Sequence, residues 1–330
     1  MLGRRNLLLS AGALVSGIIA GGSRTARGAE RTLRIGYILP LQSQLGAGAT
    51  AFAEEVSKRT GGRIAIQQFP DATLGGDVEL LKAAQLGSVD LAFVTCMGMS
   101  TVLPEVGVLN IPFLFNSARH GHTVLDGPVG ESFRKPFAAK DLVLLAWGEN
   151  GLRHITNAKR PIVTPDDLKG LTMRVPQSEV LLKGFQALGV EAASLPLPLL
   201  FEALRTGKFD GQENPIATIR AAKFDQVQKF LTLSGHAYDP AVFVMSPDAF
   251  EDLSADDRTS LIEAAKVGGQ ASREFAARAQ DEGVAALQQA GMTVQMSVDR
   301  AAFAAAMAGA NPGFEKTFGR DLIGQIKATA

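Results

Sequence analysis

Arg174 and Asn214 are the side chains whose type and setting best suit holding a small anion. Arg174 stands in the run Gly170–Pro176 (GLTMRVP), near the end of a short β-rich stretch that Pro176 stops. A guanidinium fixed at a strand end offers a planar fork, which can give a carboxylate two parallel hydrogen bonds. Asn214 lies in Gly-Gln-Glu-Asn-Pro, whose glycine and proline predict a turn. An amide set there adds orientation. Arg153, two residues after Gly151, supplies a further guanidinium. Residue type alone leaves other roles open. Arg174 also suits a structural ion pair with a nearby acid, Arg153 the capping of a turn, and Asn214 a turn position before Pro215.

Other chemistries lack their parts. The four histidines are His120, His122, His154 and His236, and only His120-Gly-His122 has a chelating look. No carboxylate or cysteine accompanies it at ligand spacing, so it reads as the start of a surface helix, not a metal site. There is no Gly-x-Ser-x-Gly, no phosphate-binding loop and no Gly-x-Gly-x-x-Gly between strand and helix. Asp166-Asp167 and Asp256-Asp257 sit where helices begin, and acids there complement the helix dipole. Nothing assembles a nucleophile, a base and an orienting group. No enzyme, cofactor or metal is expected.

The elements that must position the two arginines follow from periodicity. Thr32–Leu39 and Arg63–Phe69 read as strands, with an amphipathic helix over Gly46–Arg59 between them. A second helix over Asp77–Leu86 leads to a strand at Val89–Val94, with Thr95 just beyond it. This β-α-β-α-β order predicts a doubly wound α/β sheet, in which ligands sit beyond the carboxyl ends of the strands. Leu142–Trp147 reads as a buried strand and Glu149-Asn150-Gly151 as a turn, where the chain is expected to cross to a second lobe. Leu171–Val175 and Val190–Ser194 are short strands of that lobe, and Ala241–Met245 returns to the first. Ser254–Ala290 holds no proline and predicts a long helix, interrupted or bent at Gly268-Gly269. Arg300–Ala308 and Pro312–Ile326 are terminal helices. The expected division is an export signal over 1–29, one lobe from 30–150 plus 240–278, and another from 151–239 plus 279–330.

Composition narrows the class. The chain has 330 residues, 46% of them apolar, with 33 basic and 33 acidic side chains. That balance excludes the basic face a nucleic-acid partner needs. Residues 1–29 carry four arginines and no acid, so the remainder is mildly acidic, at about −4. Arg4-Arg5, the apolar run over 6–22 and the small residues Ala26, Gly28 and Ala29 read as an export leader with cleavage points. Arg4-Arg5 before Leu7-Leu8-Leu9 suits both the twin-arginine route and an ordinary secretory leader; a retained anchor is the third option. Cys96 is the single cysteine, so no internal disulfide forms. No other segment is apolar for long enough to span a bilayer, so the mature chain is expected not to insert in a membrane.

With these residues in order, a resemblance emerges. Gly151-Leu-Arg153, Pro165-Asp-Asp-Leu-Lys-Gly170, Met173-Arg-Val-Pro176 and Asp210-Gly-Gln-Glu-Asn-Pro215 resemble the solute-binding proteins of tripartite ATP-independent periplasmic (TRAP) transporters, the DctP family. Gln68-Phe69-Pro70, Leu74-Gly75, Gly87-Ser-Val-Asp90, Ile111-Pro-Phe-Leu-Phe115 and Val227-Gln-Lys229 match in the same order, so the likeness covers nearly the whole mature chain.

The resemblance implies a two-lobed periplasmic binding protein fold with discontinuous lobes, mixed sheets and a long lobe-spanning helix. It implies a receptor that closes on an organic acid and delivers it to a TRAP membrane permease. Arg174 then clamps the ligand carboxylate, Arg153 and Asn214 contact the same end, and Thr95 faces the ligand from the third strand. Two departures stand out. Leu199-Leu200-Phe201 replaces a Glu-x-Tyr of many members, and the first strand ends in apolar Ile38-Leu39-Pro40. Both point to a smaller or more apolar acid than a sialic acid. A receptor feeding a sensor system would look the same in sequence, and a periplasmic enzyme acting on organic acids would need a catalytic set that is absent.

Overall fold

The computed structural model describes residues 29–329; residues 1–28 of the expected leader lie outside them. Among the described residues nine strands occur in chain order: β1 (Arg31–Gly36), β2 (Ile64–Phe69), β3 (Leu91–Thr95), β4 (Val143–Asn157), β5 (Thr172–Val175), β6 (Glu191–Ser194), β7 (Gly211–Pro215), β8 (Phe230–Met245) and β9 (Thr293–Gln295). They form one mixed sheet in the order β2-β1-β3-β8-β4-β7-β5-β6, with β9 beside β8. β1 runs parallel to both β2 and β3, as the β-α-β-α-β reading requires. The helix Gln44–Arg59 makes the first crossover. Ser43 caps it, accepting from the Gly46 amide at 3.1 Å. The helix Asp77–Gln85 makes the second.

The two halves of the sheet are joined by β4 and β8, long antiparallel strands that run through both. Their pairing shifts register three times, once between Glu149 and Gly151 opposite Pro240 and Asp239. Gly151, with φ of 132°, takes up that bulge. The expected turn at 149–151 is therefore the interior of a strand. Gly211–Pro215 is likewise a fully buried strand and not a turn. In both places composition misled for one reason. Glu149, Asn150, Glu213 and Asn214 look like surface residues, but each is buried with polar partners supplied from elsewhere in the fold.

On one half, Phe52, Phe93 and Phe243 build the core, the last two stacked at 3.8 Å between centroids. On the other, Met173, Leu181, Phe185, Phe303 and Met307 pack together. The long helix is a single element, Ala255–Gln289, capped by Ser254. Gly268 and Gly269 do not interrupt it. They let it lie against its neighbours: a Cβ at 268 would come 2.7 Å from the Gly48 carbonyl oxygen, and one at 269 would come 2.2 Å from that of Trp147. The chain end divides at Gly319 into helices Asn311–Phe318 and Arg320–Ala328. Phe314, Ile323 and Ile326 join the core built by Leu109, Val124 and Leu142.

Candidate functional site

β5 ends at Pro176, and this fixes where Arg174 points. Its Nε and Nη2 donate to the Leu195 carbonyl at 2.8 and 2.6 Å, just past the end of β6. Its Nη1 is buried without a hydrogen-bond partner. No carboxylate pairs with this guanidinium among the described residues, although the side chain is 2% exposed. Burial pushes its pKa down to about 9, against the pull of Glu213. A buried cation with an open donor is costly on its own and is suited to receiving an anion.

Arg153 is arranged differently. β7 lies antiparallel to β4 and sets Glu213 and Asn214 beside it. Arg153 Nε and Nη2 donate to the two Glu213 carboxylate oxygens at 2.5 and 2.7 Å, and Nη1 donates to Asp239 at 3.0 Å. Nη2 also reaches the Asn214 side-chain oxygen at 3.2 Å. Burial alone would lower the Arg153 pKa, but Glu213 and Asp239 outweigh it and hold the charge firmly. Glu213 is correspondingly held below the usual carboxylate range, burial notwithstanding. His236 meets Glu213 from the other side at 3.1 Å, and burial lowers its pKa. Asp239 is pushed up to about 6 by burial.

Thr95 ends β3 and caps the short helix Cys96–Met99. Its hydroxyl donates to Asp77 Oδ2 at 2.6 Å. The other Asp77 oxygen, Oδ1, is buried with no partner, and burial raises this carboxyl to about 7. Gln44 links the two sides of the space, donating to Asn150 Oδ1 at 2.7 Å and Thr218 Oγ1 at 2.8 Å. Asn150 in turn donates to Asp239 at 2.8 Å. Ser178 reaches Asn110 across the opposite side at 3.4 Å. These bonds tie the two sides of the cleft together.

All four residues singled out from the sequence, Arg174, Arg153, Asn214 and Thr95, line this one cleft. Of these four, Arg174 alone has a side-chain nitrogen with no partner. Arg153 and Asn214 are bound to each other and to Glu213 and Gln212. Sequence reasoning missed Asp77, Asn150, Thr218 and Gln44. Asp77 was hidden by its place in the first turn of a helix, where an acid is ordinary. The walls are apolar: Ile38, Leu39, Met97, Pro196, Leu197 and Pro198. His120, set aside as a ligand, accepts from the Asn116 amide and lies 2.8 Å from the Ile326 carbonyl.

A two-part α/β sheet that shuts on a buried, unpaired arginine is the architecture of a small-molecule receptor. Comparison with known proteins makes this specific. The model of the bacterial extracellular solute-binding proteins, family 7 (DctP), matches residues 35–317. A solute-binding protein of Verminephrobacter eiseniae is 42% identical over 300 residues, covering 91% of this chain and 90% of that one. A TRAP periplasmic solute-binding protein from Polaromonas, bound to D-erythronate, superposes with a TM-score of 0.89 at 40% identity, covering 91% and 99%. One from Bordetella, with density attributed to pantoate, gives a TM-score of 0.89 at 39% identity, covering 91% and 99%. The chain belongs to the DctP family of TRAP solute-binding proteins. It is therefore a two-lobed solute receptor for transport and not an enzyme. No helix among the described residues is long and apolar enough to cross a membrane.

Proposed function

We propose that this protein captures a small hydroxylated organic acid by its carboxylate at Arg174 and hands it to a TRAP-type permease. The observation that carries this reading is the Nη1 of Arg174, buried and without a partner beside a guanidinium otherwise held by one carbonyl. Asn214 and Thr95 border the ligand. Arg153 lends one further N–H or, through Asn214, orientation. The erythronate and pantoate of the two similar structures support the ligand class, since each is a compact hydroxy acid with one carboxylate. We assign residues 30–150 and 240–278, joined by 311–328, to one lobe, and 151–239 with 279–310 to the other. Ligand bridging the lobes favours the shut form, and exclusion of water strengthens the charged hydrogen bonds.

The leader of residues 1–29 fits delivery to the periplasm, with Arg4-Arg5 compatible with the twin-arginine route. The test is a thermal-shift panel on mature protein, unfolded and refolded to shed carried-over ligand. Each acid is measured beside its own amide. Ligand at 100 times its dissociation constant stabilises by about 2.7 kcal/mol, a shift of a few degrees. A shift with an acid and none with its amide is the expected result. Equal shifts with both would remove carboxylate capture.

A further inference from the structure

We propose that Asp77 sets the ligand's charge: the cleft accepts acids with one carboxylate and a hydroxylated far end, and turns dicarboxylates away. This rests on the reading of Arg174 as the carboxylate clamp. Two residues that line the cleft each carry a buried polar atom with no partner, and the two atoms are of opposite sense. Nη1 of Arg174 needs an acceptor, and Oδ1 of Asp77 needs a hydroxyl. They are not bonded to each other. A molecule with a carboxylate at one end and a hydroxyl at the other satisfies both.

Asp77 is held for this place. Thr95 fixes its Oδ2, and the chain keeps a glycine opposite: a Cβ at Gly98 would come 2.3 Å from the Asp77 Cβ. A second ligand carboxylate would find no free cation. Among the described residues Arg153 and Arg174 are the only cations lining the cleft, and Glu213 and Asp239 already balance Arg153. Asn150 and Thr218 are engaged by Gln44 and Asp239. The remaining wall is largely aliphatic and proline-rich. A second anion would therefore stand against Asp77, and like charges brought together in a buried site are strongly disfavoured.

The experiment is titration calorimetry at pH 8, where the Asp77 carboxyl, raised to about 7 by burial, is ionised, with matched acids that differ only by oxidation of a terminal CH2OH to carboxylate. The pairs are 4-hydroxybutyrate with succinate, erythronate with meso-tartrate, and glycerate with tartronate. Wild type is expected to favour the monocarboxylate of a binding pair by about tenfold or more. Asp77→Asn keeps the shape and the Thr95 bond and is expected to shrink that ratio about tenfold. A ratio unchanged within twofold in Asp77→Asn overturns the inference, as does a wild type that binds a dicarboxylate more tightly than its partner. Because the wild-type ratio needs no variant, poor folding of Asp77→Asn would not protect the idea. Arg174→Met separates the two levels. If it leaves affinities intact, the clamp reading fails; if it abolishes binding while the ratio ignores Asp77, only this inference fails. Failure of all six acids to bind would overturn the inference together with the ligand class beneath it.

Discussion

Replacing Arg174 with methionine tests the clamp in two directions at once. The side chain keeps similar bulk but loses the charge and the donors. With the guanidinium unpaired, burial lowers the Arg174 pKa to about 9, which makes the charged form roughly 5 kcal/mol less favourable than in water. The sign follows from the depression. Above about pH 9 the shut form holds fewer protons than the unfolded chain, so the penalty is fully present below about pH 9 and fades above it. Ligand carboxylate offsets that penalty in the wild type. In Arg174→Met the penalty is gone and so is the ligand's partner, leaving a desolvated carboxylate uncompensated. The expected loss of binding is about 2–5 kcal/mol, or about 30-fold to several thousand-fold in dissociation constant. The ligand-free variant is expected to melt no lower than wild type and to scatter X-rays as a more compact particle, because closing no longer buries an unpaired cation. Calorimetry, thermal unfolding and solution scattering read these three quantities. Affinity within twofold of wild type would refute the clamp. A variant that lost affinity but also melted far lower would show that Arg174 is a structural cation.

Other perturbations follow from the same contacts. Arg174→Lys is expected to weaken binding by more than tenfold in calorimetry, since an ammonium cannot hold the Leu195 carbonyl and a ligand carboxylate as a planar fork. Asp77 is raised from 3.8 to about 7 in the fold, so its contribution to stability is lost as pH rises from about 4 to about 7. Asp77→Asn should therefore raise the melting temperature at pH 8 and leave it nearly unchanged at pH 4; an equal rise at both would contradict the burial argument. Glu213→Gln leaves the Arg153 charge buried with Asp239 as its remaining carboxylate and should cost about 3–5 kcal/mol in denaturant unfolding. Thr218→Val removes a bond between the two sides of the cleft and should weaken ligand binding by about 0.5–1.5 kcal/mol without lowering the denaturation midpoint by more than that. Gly269→Ala sets a Cβ against the Trp147 carbonyl and should lower stability by about 1–3 kcal/mol.

Much of the framework was legible in the sequence, because it rests on local signals. Alternation in β1, the amphipathic spacing within Gln44–Arg59 and the proline-free stretch that forms Ala255–Gln289 are each local signals. Arg174 was legible because Pro176 ends its strand whatever lies around it. The hinge strands were not. Glu149–Gly151 and Gly211–Pro215 carry turn composition, and only partners about 60 to 120 residues away make them strand: Glu213 for Arg153, Ser272 for the Glu149 amide. The pairing of Arg153 hid for the same reason, since an arginine that binds ligand and one that holds a hinge look alike in sequence. Asp77 was masked twice, by its ordinary place at a helix start and by a partner, Thr95, 18 residues on. The glycines at 268 and 269 read as a break because a close approach between elements leaves no mark on either one alone.

The clamp is tested most directly by a crystal structure of the mature protein with erythronate. The account expects one ligand carboxylate within hydrogen-bond distance of Arg174 Nη1, with the Leu195 bonds and the Arg153–Glu213 pair undisturbed. A carboxylate lodged elsewhere, with Nη1 still unpartnered, would contradict it.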